Sequence, residues 1–449
     1  MFDIIISGGE IFDGSGKPAF SSDIGIDKDR ISLIGNLSNA EAKEIINAAG
    51  LAVAPGFIDI HTHSDFTLLV NGAAESQVHQ GVTLEVIGQC GISLAPLGDS
   101  GIAISSILGY HPGTNITWKT FGEYLSRLEQ QELGVNVMAF VGHGTIRRAV
   151  MNEELRFATR DDIKEMVRLL EISFAEGASG FSSGLEYWPG SGSVSTTEEL
   201  FSLCEVTKHN NALYATHVRN RDMYYDLGFS EALAIARNSG VKLQISHIQP
   251  KFGAPSHAME HTIEMVHWAR EEGADVTFDI IPHDWNHSQL TAALPSWAME
   301  GGIEELMVRL NNPNDREKMK KNTQPFWQLV PAGKWDKIRL LQSKKNKNLI
   351  GLTFEQIGKD RGKDPYDAYF DLLIEEKENL NGLMWTSHGF SESDICLCLK
   401  QPDCIVMSDT MALAPYGALK GMIGSLSGYG WIARFFQHYV REKSIISME

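Results

Sequence analysis

Pro55-Gly-Phe-Ile-Asp-Ile-His61-Thr-His63-Ser64 is the stretch from which the rest of the chain can be read. Phe57, Ile58 and Ile60 form an apolar run behind Pro55 and Gly56, which predicts a buried strand. His61 and His63 follow at its C-terminal end. Side chains two apart on a strand point to one side. Two imidazoles on the same side at the mouth of a buried parallel strand have the geometry of a metal site.

Downstream of this stretch, apolar runs alternate with amphipathic ones, the rhythm of a parallel sheet. Candidate strands lie at 57–61, 82–88, 135–141, 179–184, 212–217, 241–247, 275–281 and 403–409. Candidate helices between them include 160–176, 197–210, 229–239 and 257–272. Eight such strands with crossover helices predict an α/β fold, a (β/α)8 TIM-type barrel, over 56–449. Residues 310–380 are basic and polar and read as an inserted excursion between the seventh and eighth strands. Residues 1–55 are β-rich and read as a small separate antiparallel sheet unit, with Gly8-Gly9 as a turn between two short runs.

Bulk properties narrow the function. The 449 residues carry 39 basic and 57 acidic side chains, a formal net charge of -18. That balance argues against nucleic acid and against an anionic membrane surface as partners. No apolar run approaches the ~18 residues that span a bilayer. The N-terminus has no basic segment or small-residue cleavage site, so a cytoplasmic location is expected. Five cysteines, an odd number, do not suggest a disulfide framework. Cys204, Cys396 and Cys398 read as small buried hydrophobes on helices.

Catalytic groups of a barrel sit at the C-terminal ends of its strands. Here those ends carry His61 and His63, Cys90, His143, His217, His247 and Asp409. Imidazole and thiolate donors together suit zinc, which lowers the pKa of a bound water toward ~7. Asp409 is the expected base, taking a proton from water and passing it to a leaving nitrogen; the alternative is a carboxylate that only orients a histidine. His257, His261 and His267 share a helix but lack the Glu of a His-Glu-x-x-His motif and read as surface or packing residues. His283 and His287, after the seventh strand, are pocket candidates.

These residues resemble the amidohydrolase superfamily, and within it the N-acyl-D-amino-acid deacylases (D-aminoacylases). The stretches that carry the resemblance are Pro55-Gly-Phe-Ile-Asp-Ile-His-Thr-His-Ser, Gln80-Gly-Val-Thr-Leu-Glu-Val-Ile-Gly-Gln-Cys-Gly-Ile-Ser, Val141-Gly-His-Gly-Thr-Ile-Arg, Gly180-Phe-Ser-Ser-Gly-Leu-Glu-Tyr, Thr216-His-Val-Arg, Ile245-Ser-His, Leu294-Pro-Ser-Trp-Ala-Met-Glu-Gly-Gly and Met407-Ser-Asp. The resemblance implies a small β-sandwich-like domain beside the barrel. It implies a zinc held tightly by Cys90, His217 and His247, a second, weaker position at His61 and His63 with Cys90 able to bridge, and Asp409 as general acid and base.

The departures bear on the substrate, a small molecule. The deacylases grip the amino-acid carboxylate with a lysine, a tyrosine and an arginine. Here those positions carry Gln249 (with Lys251 close by), His283 and Ser427. Losing hydrogen-bonded charges costs ~1.5–3 kcal/mol each. Trp188, Trp285, Trp297 and Trp431 fall in loops near the strand ends and suggest an apolar or aromatic ligand. The substrate-binding set is therefore His143, Trp188, Gln249, Lys251, His283, Trp285 and Ser427. The expected activity is hydrolysis of a neutral or aromatic amide, imide, urea or related C–N bond. Deacylation of N-acyl-D-amino acids is the alternative, and a deaminase or a non-catalytic binding homologue stand behind it. The family continues past the last barrel helix with strands that complete the small domain, whereas this chain stops near Arg441. A truncated sequence is one expectation, and a homodimer over exposed sheet edges is another.

Overall fold

The computed structural model describes residues 1–98, 110–111, 113–152, 154, 156–187, 194–321 and 327–449. They form two compact units, Met1–Phe57 with Gln437–Glu449, and Ile58–Phe436.

The first unit holds a five-stranded sheet of β1 (Phe2–Ile11), β2 (Phe20–Asp27), β3 (Arg30–Gly35), β4 (Ala42–Asn47) and β5 (Ala52–Val53). It is mixed, which corrects the antiparallel expectation: β1 pairs antiparallel with β2 but parallel with β4 and β5. Gly8-Gly9 is not a turn. β1 runs straight through it, and the register against β2 shifts between Ile6 and Gly9 as at a β-bulge. Gly8, at φ +70°, supplies the left-handed residue such a bulge uses.

The second unit contains the barrel: β6 (Phe57–Asp59, whose first residue closes the other unit), β7 (Val82–Ile87), β8 (Asn136–Gly142), β9 (Gly180–Gly184), β10 (Leu213–His217), β11 (Lys242–Ile245), β12 (Val276–Ile280) and β16 (Cys404–Val406). They form one eight-stranded sheet in the order β16-β12-β11-β10-β9-β8-β7-β6. A parallel bridge between Thr62 and Thr410 joins its two edges. The strands are short because each needs only to carry a side chain from the apolar floor to the mouth. Val86, Phe140 and Ala215 cluster with Ile60, Leu84 and Leu213 to fill the interior, the packed core that makes such a barrel a solid rather than a pore.

Between β12 and β16 the chain leaves the barrel for longer than the sequence suggests. β13 (Trp285–Gln289), β14 (Ile338–Gln342) and β15 (Met384–His388) form an antiparallel sheet in the order β13-β15-β14. With helices such as Ile303–Asn311 and Pro365–Glu375 they enclose a core of their own around Trp327, Trp335, Tyr369 and Trp385. The excursion expected at 310–380 is thus a folded subdomain that begins with β13. Among the described residues no helix is long and apolar enough to cross a membrane.

Candidate metal centre

The strand ends place the functional side chains, and the backbone fixes those ends. Asp409 N–H donates to the His61 carbonyl (3.2 Å), and His63 N–H donates to the Thr410 carbonyl (2.6 Å). One carboxylate oxygen of buried Asp59 accepts from the backbone N–H of His61 (3.4 Å) and of Ser408 (3.2 Å). The first and last strands of the barrel are therefore laced together directly beneath His61 and Asp409.

Three site residues hold left-handed backbone: Cys90 at φ 54°, His247 at φ 34° and Asp409 at φ 47°. Side chains other than glycine rarely adopt this conformation, and it persists only where the surroundings impose it. Here glycines supply part of that imposition. A Cβ on Gly88 would stand 2.1 Å from the Phe140 carbonyl oxygen, and one on Gly184 would stand 2.1 Å from the Cys90 carbonyl oxygen. Only bare backbone at both places lets the Cys90 loop settle against β8 and β9 and aim its thiol inward.

The donor atoms converge. Cys90 Sγ lies 3.3 Å from His61 Nε2, 3.4 Å from His247 Nε2 and 3.8 Å from His217 Nδ1. His217 Nδ1 lies 3.0 Å from His247 Nε2. Asp409 Oδ1 is 3.2 Å from His63 Nε2 and 3.6 Å from His61 Nε2. Two overlapping donor sets result, His61/Cys90/His247 and His61/His63/Asp409, each with its ligating atoms within 4.8 Å of one another. Burial alone would raise the Cys90 thiol, but the imidazoles of His61 and His247 and hydrogen bonds with His217 and His247 outweigh it and hold Cys90 well below its ordinary range. A buried thiolate among imidazoles is the donor chemistry of a zinc site, so the residues present fit that ion. Beneath them, Asp279 accepts from His247 N–H (2.5 Å) and from Gln244 Nε2 (2.8 Å), with His61 Nδ1 3.9 Å away.

The expected substrate residues fare differently. His143 does not reach the mouth. Phe140 points into the barrel, so by strand alternation Gly142 is inward and His143 outward. His143 is fully buried against Phe181, with Nε2 2.7 Å from Glu199, which also takes Arg147 at 3.1 Å. Gln249 is buried and spent on backbone: its amide donates to the Ile281 carbonyl (2.8 Å) and accepts from Ile281 N–H (3.1 Å). Lys251 donates to Glu186 (2.7 Å) beneath the Trp327 ring. Ser427 is buried, its N–H donating to Ser425 Oγ. His283 is half-buried, and burial followed by the Arg434 charge lowers it to about 4. Trp285, on β13, packs against His388, with ring centroids 3.4 Å apart and planes tilted by 41°. Trp188 lies outside the described residues.

Residues 44–237 match the amidohydrolase family model. The chain is 37% identical over 286 residues to a D-aminoacylase of Alcaligenes xylosoxydans xylosoxydans, covering 63% of this chain and 57% of that protein. It is 36% identical over 314 residues to an N-acyl-D-glutamate deacylase of the same organism, covering 70% of this chain and 62% of the relative.

This chain belongs to the amidohydrolase superfamily, on its D-aminoacylase-like branch.

The match thus spans about three-fifths of the length of these curated relatives. Among solved structures, the N-acyl-D-glutamate deacylase of Bordetella bronchiseptica, complexed with zinc and a phosphonate inhibitor, aligns with a TM-score of 0.79 at 26% identity, covering all of this chain and 82% of that one. The barrel and the family expected from the sequence are both found.

Sequence reading passed over three residues of this amidohydrolase site. Glu186 and Tyr187 follow β9, where Glu186 Oε2 lies 2.7 Å from His217 Nε2 and the Tyr187 hydroxyl 2.8 Å from His217 Nδ1. The rule of reading strand ends, applied to Gly184-Leu-Glu-Tyr, would have found them. Asp279 stands on β12, one position inside the strand end, and the same alternation that turns Gln244 inward turns it inward too. His287, read as a pocket candidate, comes from β13: it is half-buried, hydrogen-bonds the Asp409 backbone, and lies close enough to His63 and Cys90 to feel their charges.

Proposed function

We propose that the chain is a zinc-dependent hydrolase of an amide-type C–N bond in a small, neutral molecule. The observation that carries the reading is the gathering of His61, His63, Cys90, His217 and His247 into two overlapping donor sets, with the Asp409 carboxylate against His61 and His63. Cys90, His217 and His247 would hold the ion tightly, and His61 and His63 would offer a second, weaker position. Zinc so held supplies a Lewis acid and acidifies a coordinated water. The chain supplies the proton chemistry. His63 Nε2 holds Asp409 Oδ1 at 3.2 Å. Burial alone would raise Asp409, but this hydrogen bond and the charges of His61, His247 and His287 keep it well below the ordinary carboxylate range. Asp409 is therefore ionised, and its Oδ1, against His63 and His61, stands where it can take a proton from water at the site and return it to the leaving nitrogen. His287, on the Asp409 backbone, fixes where that carboxylate points.

The neutral substrate rests on the three changed positions. Gln249 is spent on the Ile281 backbone, His283 is lowered to about 4, and Ser427 is buried and carries no charge; Lys251, close to the first of them, is spent on Glu186. The second reading, deacylation of N-acyl-D-amino acids, is favoured by the 36–37% identity to enzymes of that description and by Arg434, whose charge reaches His283. The test is a panel of N-acyl-D-amino acids, aryl amides, ureas, imides and aminated heterocycles, scored for carboxylate and ammonia release, with chelation and zinc readdition as controls. Activity on the neutral members that falls on chelation and returns with zinc is expected. Ammonia as the sole product from an aminated ring would point to a deaminase. A zinc-loaded chain inert to the whole panel would refute hydrolysis.

A further inference from the structure

The centre of the chain holds a buried charge pair that the mechanism above does not use. Glu186, after β9, reaches across β10 to Lys251, after β11. Its Oε2 lies 2.7 Å from Lys251 Nζ and 2.7 Å from His217 Nε2. All three side chains are 1–2% exposed. The Lys251 ammonium is capped by the Trp327 ring at 4.2 Å, part of the inserted subdomain's own core.

We infer that Glu186 and Lys251 are a positioning pair for His217, fixing which ring nitrogen faces the metal, and that Lys251 is not a substrate clamp. The argument is one of donors and acceptors. A carboxylate flanked by an ammonium is an acceptor only, so His217 Nε2 must carry the hydrogen that Glu186 receives. The lone pair then falls on Nδ1, the atom that faces Cys90 Sγ and His247 Nε2. In the metal-free site the Tyr187 hydroxyl, 2.8 Å from Nδ1, donates to that lone pair, which a bound ion would take over. Lys251 neutralises Glu186, which otherwise would be a lone charge in a dry interior and would take up a proton rather than receive one from His217. A carboxylate partner of this kind both orients a ligating imidazole and raises its basicity. A lysine bound on one side by Glu186 and roofed on the other by Trp327 has no free face for a substrate. The inference rests on the zinc reading of the site and refines the substrate reading: the basic residue nearest the changed clamp position serves the metal ligand.

The test compares Glu186→Gln, the charge-free pair Glu186→Gln with Lys251→Met, and Lys251→Met alone. The double variant leaves no lone buried charge, so it keeps the question open if a single variant fails to fold. Zinc affinity by chelator competition is expected to weaken about 10- to 100-fold in Glu186→Gln and in the double variant. In the metal-free protein, long-range proton–nitrogen spectra are expected to show His217 protonated on Nε2 in the unaltered chain and mixed between its tautomers in those variants. Lys251→Met is expected to slow substrates with and without a carboxylate alike. Unchanged zinc affinity in the double variant, or a Lys251→Met loss confined to KM for carboxylate-bearing substrates, would overturn the inference. Failure of the unaltered chain to bind zinc would overturn it together with the metal reading. Tight zinc binding without hydrolysis would sink the hydrolase reading alone.

Discussion

Asp409 is held by backbone strain, by His63 and by His287, all of which aim one oxygen at the donor cluster. Replacing it tests its role without disturbing packing. Asp409→Asn keeps the shape and removes the proton acceptor, so kcat is expected to fall by ~10²–10⁴ while bound zinc, measured by elemental analysis, stays near the unaltered level. Loss of zinc in step with activity would make Asp409 a ligand first and a base second. A second residue-scale prediction concerns Glu85, buried on β7, where it accepts from Ser64 Oγ at 3.0 Å. Burial, then the nearby Asp59 and Asp65 carboxylates, push it up to about 8. The folded state thus keeps a proton that the unfolded chain gives up near pH 4.5. The stability linked to this proton is fully present below that pH and is lost as pH rises through about 8. Glu85→Gln mimics the protonated form, so its urea midpoint is expected to fall less between pH 6 and pH 9 than that of the unaltered protein. Parallel declines in both would show that Glu85 does not titrate in this window.

At the scale of elements, the loop Gly88-Gln-Cys90-Gly91 and the end of β9 form one close-packed unit. Gly184→Ala puts a methyl group where the Cys90 carbonyl stands, so one backbone must move. Overpacking of this kind costs ~1–3 kcal/mol, and here the loop that moves carries the thiol. A Gly184→Ala variant is expected to lose zinc affinity by more than its thermal stability alone would suggest, as read by chelator competition beside a melting curve. Full retention of affinity would separate the glycine from the metal centre. The elements also show what the sequence conceals. The barrel strands are legible because each is an apolar run ending in a polar group. The inserted subdomain is not, because Trp327, Trp335 and Trp385 sit one at a time among polar and lysine-rich stretches and meet only in space. His143 misleads for a related reason: it ends a strand in sequence, yet one step of alternation turns it outward. Gly8-Gly9 looks like a turn because a bulge and a turn ask for the same residue.

For the whole molecule, the family and the barrel were visible in motifs running in order from Pro55 to Asp409. What substrate the site takes was not, because that depends on the partners of Gln249 and Lys251 once folded. Their neighbours, Ile281 and Glu186, are far away in the chain and carry no local signal. The measurement that bears most directly on the account is a matched pair of substrates, an N-acetyl-D-amino acid and its C-terminal amide, assayed for acetate release by the zinc-loaded protein. The two differ only in the charge that the changed residues would have to meet. The account predicts the larger kcat/KM on the neutral amide. Turnover confined to the carboxylate form would contradict it, and would make Arg434 rather than Lys251 the first residue to replace.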